Sequence, residues 1–194
     1  MIDSKPIKLA VTGPRSQHLY GNNPNHKGYT TMILQLMDII KHYHHSISDV
    51  YIGMATGLDC MMGLAVLHLN KLPDVDIKLW CCIPGHNQTK YFSPEEKRVY
   101  QYILNQVPPE QIMWVNDGDC TPENLKARNR FMVNHGDELI SFWSAERYKS
   151  GTYSAMLYGK KVNKPVYNIH PFDMGKRAYF HHPDVSKIGK EEII

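Results

Sequence analysis

Short apolar runs alternate along this chain with longer amphipathic stretches, and the alternation continues almost to the end. The first run, residues 7–13, has little polar alternation and reads as a strand buried on both faces. After the polar stretch Pro14 to Lys27, the spacing of Ile33, Leu36, Met37 and Ile40 predicts a helix from about Tyr29 to His45. Val50 to Met54 reads as a second strand. The helix after it, to about Asn70, is apolar nearly all round and should lie flat on a sheet. Asp76 to Ile83 is a third strand. Ser93-Pro94-Glu95-Glu96 then announces a helix, with a hydroxyl at the N-cap, proline at the first helical position and carboxylates in the first turn. That helix ends before Pro108-Pro109. Gln111 to Val115 is a short fourth strand, and Thr121-Pro122-Glu123-Asn124 opens a capped helix to about His135. Glu138 to Trp143 is the fifth strand, Ser150-Gly151-Thr152 opens a helix to about Lys161, and Pro165 to Ile169 is the last strand.

Strands alternating with helices imply an α/β, doubly wound, mostly parallel sheet of about six strands with helices on both faces. The expected strand order is 4-3-2-1-5-6, which puts the topological switch between the first and fifth strands. Ligands of such folds sit outside the carboxyl ends of the strands at that switch. A length of 194 residues with 42% hydrophobic residues suits one buried domain, taken as residues 1–170 with 171–194 as a C-terminal arm or tail.

Composition narrows the setting. A formal charge of +3 is too slight to declare a nucleic-acid partner. Cys60, Cys81, Cys82 and Cys120 form no CxxC pair and read as buried thiols of a reducing cytosol rather than disulfides or zinc ligands. No signal-peptide core and no apolar run of membrane-spanning length occurs, so a cytoplasmic protein without a membrane partner is expected. His42, His44 and His45 read as complements to a helix C-terminus, and no metal is assigned.

Candidate chemistry gathers at three turns. Gly13-Pro14-Arg15-Ser16 offers a guanidinium able to hold a phosphate or carboxylate bidentately. Gly53-Met54-Ala55-Thr56-Gly57-Leu58-Asp59 adds a carboxylate suited to accepting from ribose hydroxyls or a base amine. Ser150-Gly151-Thr152 adds hydroxyls at a helix N-terminus, where unpaired amides and the dipole attract negative charge. Glycine turns join strands to helices everywhere, so each motif alone is equally well read as a plain turn. Their convergence on one sheet edge favours a phosphorylated ligand. Trp143, Tyr148 and Tyr153 flank the crevice and can stack on a base. His86 and Gln88, in the turn after the third strand, are weaker candidates beside a simple polar turn.

These turns resemble the SLOG superfamily, the Rossmann-like group that includes the LOG cytokinin-activating phosphoribohydrolases, the DprA/Smf proteins and the YpsA-like family. The YpsA-like pattern is nearest, in Val11 to Ser16, in Gly53 to Asp59, and in Asn129-Arg130-Phe131-Met132-Val133 followed by Asp137 to Ile140. The resemblance implies a Rossmann-like domain over about residues 7 to 170 and a site at Gly13, Arg15, Ser16, Gly53, Gly57, Asp59, Arg128, Asn129, Ser150, Gly151 and Thr152. It places Arg128 at the arginine of LOG enzymes, but puts Ala155 where their PGGxGTxxE turn has glutamate. Cleaving an N-glycosidic bond builds positive charge on the sugar, which that carboxylate would stabilise. Asp59 or Glu146 are the substitutes available.

The leading expectation is therefore a SLOG-type protein binding a nucleotide or nucleotide-derived molecule, as sensor or sequestering module, with no cofactor. One alternative is a LOG-like N-glycosidase acting on nucleoside monophosphates through Arg128 with Asp59 or Glu146. The other is DprA-like single-stranded DNA binding, for which the tail Lys176 to His182 has a suitable composition. Whether the crevice completes itself across a homodimer stays open.

Overall fold

The computed structural model describes residues 5–43, 47–147 and 149–174. Among these residues, six parallel strands form one sheet in the order β4-β3-β2-β1-β5-β6. They are β1 (Ile7–Thr12), β2 (Ile47–Ile52), β3 (Lys78–Ile83), β4 (Ile112–Trp114), β5 (Glu138–Phe142) and β6 (Val166–Ile169). The helices between them are α1 (Lys27–Tyr43), α2 (Leu58–Leu69), α3 (Pro94–Gln106), α4 (Pro122–His135) and α5 (Gly151–Lys161). This is the order expected from the sequence, with the switch between β1 and β5.

The sheet divides the core into two layers. Leu9 and Val11 of β1 point into the layer formed with α1, α2 and α3, where Met32, Leu36, Leu58, Met62 and Ile103 are buried. Ala10 points the other way, into a smaller layer with Met132 and Val133 of α4 and Ala155 and Met156 of α5. Alternate residues of one strand thus serve opposite faces, as strand geometry requires. Leu9 is level with Val50 of β2 and with Glu138 of β5, so the carboxyl ends of the central strands finish side by side.

The helix starts follow their caps. Ser93 Oγ accepts from the Glu96 amide and the Glu96 side chain accepts from the Ser93 amide, closing the expected capping box. Thr121 caps α4 through the Asn124 amide, and Ser150 caps α5 through the Tyr153 amide.

The differences lie at the ends of elements. β2 runs from Ile47 to Ile52 rather than from Val50 to Met54, because Ile47 already pairs with Ile7 and the backbone turns away at Met54, whose φ is 54°. α1 begins at Lys27, ahead of the expected Tyr29, and β3 at Lys78 rather than Asp76. Within the stretch from Pro14 to Lys27, expected as loop, Ser16–His18 forms a short 3-10 turn. His44, His45, Tyr148 and the basic tail from Lys176 to His182 lie outside the described residues, as does the side chain of Glu146.

The thiols of Cys60, Cys81 and Cys82 are buried, and all four cysteines are free. Burial pushes Cys81 and Cys82 up to about 12, so both remain protonated and unreactive near neutrality. No helix among the described residues is long and apolar enough to cross a membrane.

Candidate functional site

The turns after β1, β2 and β5 meet over the carboxyl edge of the sheet and enclose a crevice of about 670 Å³. Gly13, Arg15, Asp59, Arg128, Asn129, Ser150, Gly151 and Thr152 all line it. Ser16, Gly53 and Gly57 do not, although the sequence pattern grouped them with the others.

Those three residues instead brace the turns from behind. Gly57 has φ +83° and starts α2; a Cβ there would lie 2.5 Å from the Ser16 amide nitrogen and 2.7 Å from the Pro14 carbonyl oxygen. Only glycine allows both the backbone angle and the contact. The Pro14 carbonyl accepts from the Leu58 amide at 3.1 Å, so the chain itself fills one of the unpaired positions at the start of α2. Gly53 makes room for a side chain: Arg128 Nη1 donates to the Gly53 carbonyl, and a Cβ on Gly53 would overlap the guanidinium. Gln88 Nε2 donates to the same carbonyl at 3.0 Å, which makes Gln88 a second brace. His86 packs on Trp114, their ring centres 5.0 Å apart, and neither it nor Gln88 reaches the crevice.

Arg128 and Asp59 form the inner wall. Each is 5% exposed, and Arg128 Nη1 lies 4.0 Å from Asp59 Oδ2. Arg128 Nε also donates to Asn129 Oδ1 at 2.9 Å, and Asn129 Nδ2 donates to the Gly151 carbonyl at 3.3 Å, which ties α4 to the start of α5. Asp59 Oδ2 accepts from the Ala55 amide at 3.3 Å. Its other oxygen, Oδ1, is buried and has no partner among the described residues. Burial raises the Asp59 carboxyl above its ordinary range, and Arg128 and the Ala55 amide draw it only part of the way back.

The outer wall is cationic. Arg15, Lys126, Arg147 and Lys149 line the crevice with Arg128, and Asp59 is the carboxylate facing them among the described residues. No ion pair involves Arg15 among the described residues. His18 also lines the crevice, and its pKa is lowered by burial and by the nearby charges of Arg147 and Arg15.

The Ser150 hydroxyl is engaged as the α5 cap, accepting from the Tyr153 amide at 3.1 Å, while buried Thr152 faces the crevice. Trp143 lines the opening with one face stacked on Tyr153, centres 5.3 Å apart, and its Nε1 donates to the Arg147 carbonyl at 2.9 Å. Tyr153 thus supports Trp143 rather than lining the crevice. Phe172, in the segment after β6, completes the opening: it is 54% exposed and meets Tyr20 edge to face at 5.7 Å. Lys126, Arg147 and Phe172 were not singled out from the sequence; the first two carried only a general signal of positive charge.

The position of the LOG glutamate is settled by α5. Ala155 points into the smaller core layer, 3% exposed among Met132, Val133 and Leu139, and does not line the crevice. Among the described residues no group of three or more His, Cys, Asp or Glu side chains is placed to hold a metal ion.

The sequence profile of the YspA SLOG family matches residues 9–176. The chain belongs to this family. Its SLOG fold is shared with two solved structures of DNA processing protein A. The one from Streptococcus pneumoniae is 19% identical with a TM-score of 0.55, over 84% of this chain and 50% of that one. The one from Helicobacter pylori, solved for its single-stranded DNA binding mode, is 18% identical with a TM-score of 0.53, over 97% of this chain and 74% of that one. The chain therefore spans half the length of the Streptococcus pneumoniae protein. Among curated proteins none is similar enough to match.

Proposed function

We propose that this SLOG-family chain binds a nucleotide or nucleotide-derived ligand at the carboxyl edge of its sheet, as a sensor or sequestering module. The observation that carries the reading is Asp59 Oδ1, buried without a hydrogen-bond partner among the described residues, in a crevice whose other charged lining residues among those described are cations. A purely anionic ligand has no use for that oxygen. A ligand with phosphates and hydroxyl or amine donors satisfies both parts of the wall. Arg15 and the amides at the start of α5 suit the phosphate. Asp59 suits a sugar hydroxyl or exocyclic amine, and Trp143 and Phe172 supply apolar surface for a base. The crevice has the volume typical of a small-molecule site.

Binding is preferred to hydrolysis because the family position that would supply a second carboxylate holds Ala155, turned into the core. DNA binding calls for aromatic platforms spaced along an extended basic groove, whereas these aromatics sit at the mouth of one compact crevice.

Calorimetry with nucleoside mono- and diphosphates, the matching nucleosides and a short oligonucleotide tests the proposal. Saturable binding of the phosphorylated nucleosides, weakened in Arg15→Ala, is the expected result. Absence of binding by all of them in a folded protein ends the proposal. Release of free base would move it to hydrolysis, and Asp59→Asn should then stop turnover.

A further inference from the structure

A second carboxylate is buried outside the crevice. Glu96, in the first turn of α3, is 8% exposed. Its Oε2 accepts from the Ser93 amide at 2.8 Å, which completes the helix cap. Its Oε1 accepts from the Ser16 hydroxyl at 2.5 Å. Ser16 Oγ lies a further 3.1 Å from Thr56 Oγ1 and 3.0 Å from Asn22 Oδ1. No Lys or Arg pairs with Glu96 among the described residues.

The cap alone does not explain this arrangement. A glutamine at that position closes a capping box equally well, and burying a carboxylate without a cation is costly unless hydrogen bonds replace the lost water. One carboxylate oxygen serves the cap and the other meets the Ser16 hydroxyl, and a hydrogen bond from a hydroxyl to a carboxylate is among the stronger restraints available to such a turn. The space around it is only about 10 Å³, lined by Ser16, Asn22, Tyr29, Thr56 and Glu96 among others, so it is a packed joint rather than a ligand site.

We infer that Glu96 is a positioning residue for the anion site: from α3, which does not line the crevice, it fixes through Ser16 the backbone that presents Arg15. The inference rests on the reading of the crevice as a nucleotide site. Arg15 precedes Ser16 directly, and its own carbonyl accepts from the His18 amide at 2.9 Å. The Ser16 carbonyl accepts from the amides of Leu19 and Gly21, at 2.9 and 3.0 Å, which closes the turn. The Tyr29 hydroxyl donates to the Gly21 carbonyl at 2.8 Å, and the Ser93 hydroxyl donates to the Asn22 carbonyl at 3.3 Å. The segment is thus held at its far end by α1 and α3, and at the Arg15 end by the Leu58 amide on the Pro14 carbonyl and by the Glu96–Ser16 bond. With no ion pair among the described residues, Arg15 depends on this backbone for its direction.

The test uses the full chain with AMP and inorganic pyrophosphate as probes, measured by calorimetry up to millimolar concentrations. Glu96→Gln retains the cap and the volume but weakens the bond to Ser16, and Ser16→Ala removes it. Each should weaken both probes about 10-fold. In an Arg15→Ala background neither should weaken them further, because the effect travels through Arg15. Hydrogen exchange at the amides of residues 16–22 should quicken in Glu96→Gln. Wild-type affinity in Glu96→Gln and Ser16→Ala, with Arg15→Ala impaired, overturns the role of Glu96 and leaves the anion site standing. A loss that adds in full to that of Arg15→Ala overturns it as well, since it would mark a general weakening of the fold. If the wild-type chain binds neither probe, the nucleotide reading falls and takes this inference with it.

Discussion

Arg128 Nη1 and Asp59 Oδ2 face each other at 4.0 Å across the rim of the sheet, one side chain from α4 and the other from α2, which pack on opposite faces. Removing one member of a buried pair leaves the other uncompensated. Asp59→Ala is therefore expected to destabilise the chain by about 3 kcal/mol. Asp59→Asn, which keeps the volume and an acceptor for the Ala55 amide, should cost less. Urea unfolding midpoints compare the two, and equal losses would show that the charge rather than packing holds this wall.

The same carboxylate gives a pH dependence of unusual sign. Its folded-state pKa is raised above the ordinary 3.8, chiefly by burial, so the folded chain holds this proton more tightly than the unfolded chain does. Its contribution to stability is then fully present below pH 3.8 and is lost as pH rises through the raised value. Relative to Asp59→Asn, the wild-type chain should gain stability as the solution is acidified through that window. Denaturation curves at several pH values measure the difference, and a gap that narrows on acidification contradicts the assignment.

Arg15 is exposed and has no ion pair among the described residues. Arg15→Ala should shift stability by no more than about 0.5 kcal/mol, as surface substitutions usually do. Its affinity for a phosphorylated nucleoside should fall by roughly 10- to 100-fold, the range for losing hydrogen bonds to a charged group. Thermal unfolding and calorimetry on one preparation separate the two effects.

His18 offers a titration at the crevice itself. Burial, with Arg147 and Arg15 nearby, lowers its pKa from 6.5, so it is neutral at pH 7. An anionic ligand favours the protonated form, and affinity should therefore strengthen as pH falls below 6.5. His18→Gln should flatten that part of the profile; an unchanged slope would place the titrating group elsewhere.

Under the proposed nucleotide reading, Phe172 at the crevice mouth would serve the base and not the phosphate. Losing a ring that stacks on a base should cost about 1–3 kcal/mol. Phe172→Ala is thus expected to weaken AMP while leaving pyrophosphate unaffected, as competition binding with the two probes would reveal.

The sheet order was legible because its signals are local: apolar runs of strand length, caps such as Ser93 and Thr121, and glycine turns between them. The division of labour within the turns was not. Ser16 beside Arg15 reads as a ligand group, yet its partner Glu96 is 80 residues away and directs the hydroxyl into the protein. Gly53 reads as part of a phosphate loop, but its missing side chain serves Arg128, 75 residues distant. Phe172 stood in a stretch without periodicity, and only the fold brings it against Tyr20 and over the crevice. Local pattern specifies the elements; contacts between distant segments decide which side chains face the ligand.

Because both helical layers contribute to the crevice, a bound molecule acts as a clasp between them and resists unfolding of the whole domain. At a hundredfold excess over its dissociation constant such a clasp adds about 2.7 kcal/mol. The melting temperature of this chain would thus report any compound that closes the gap between α2 and α4.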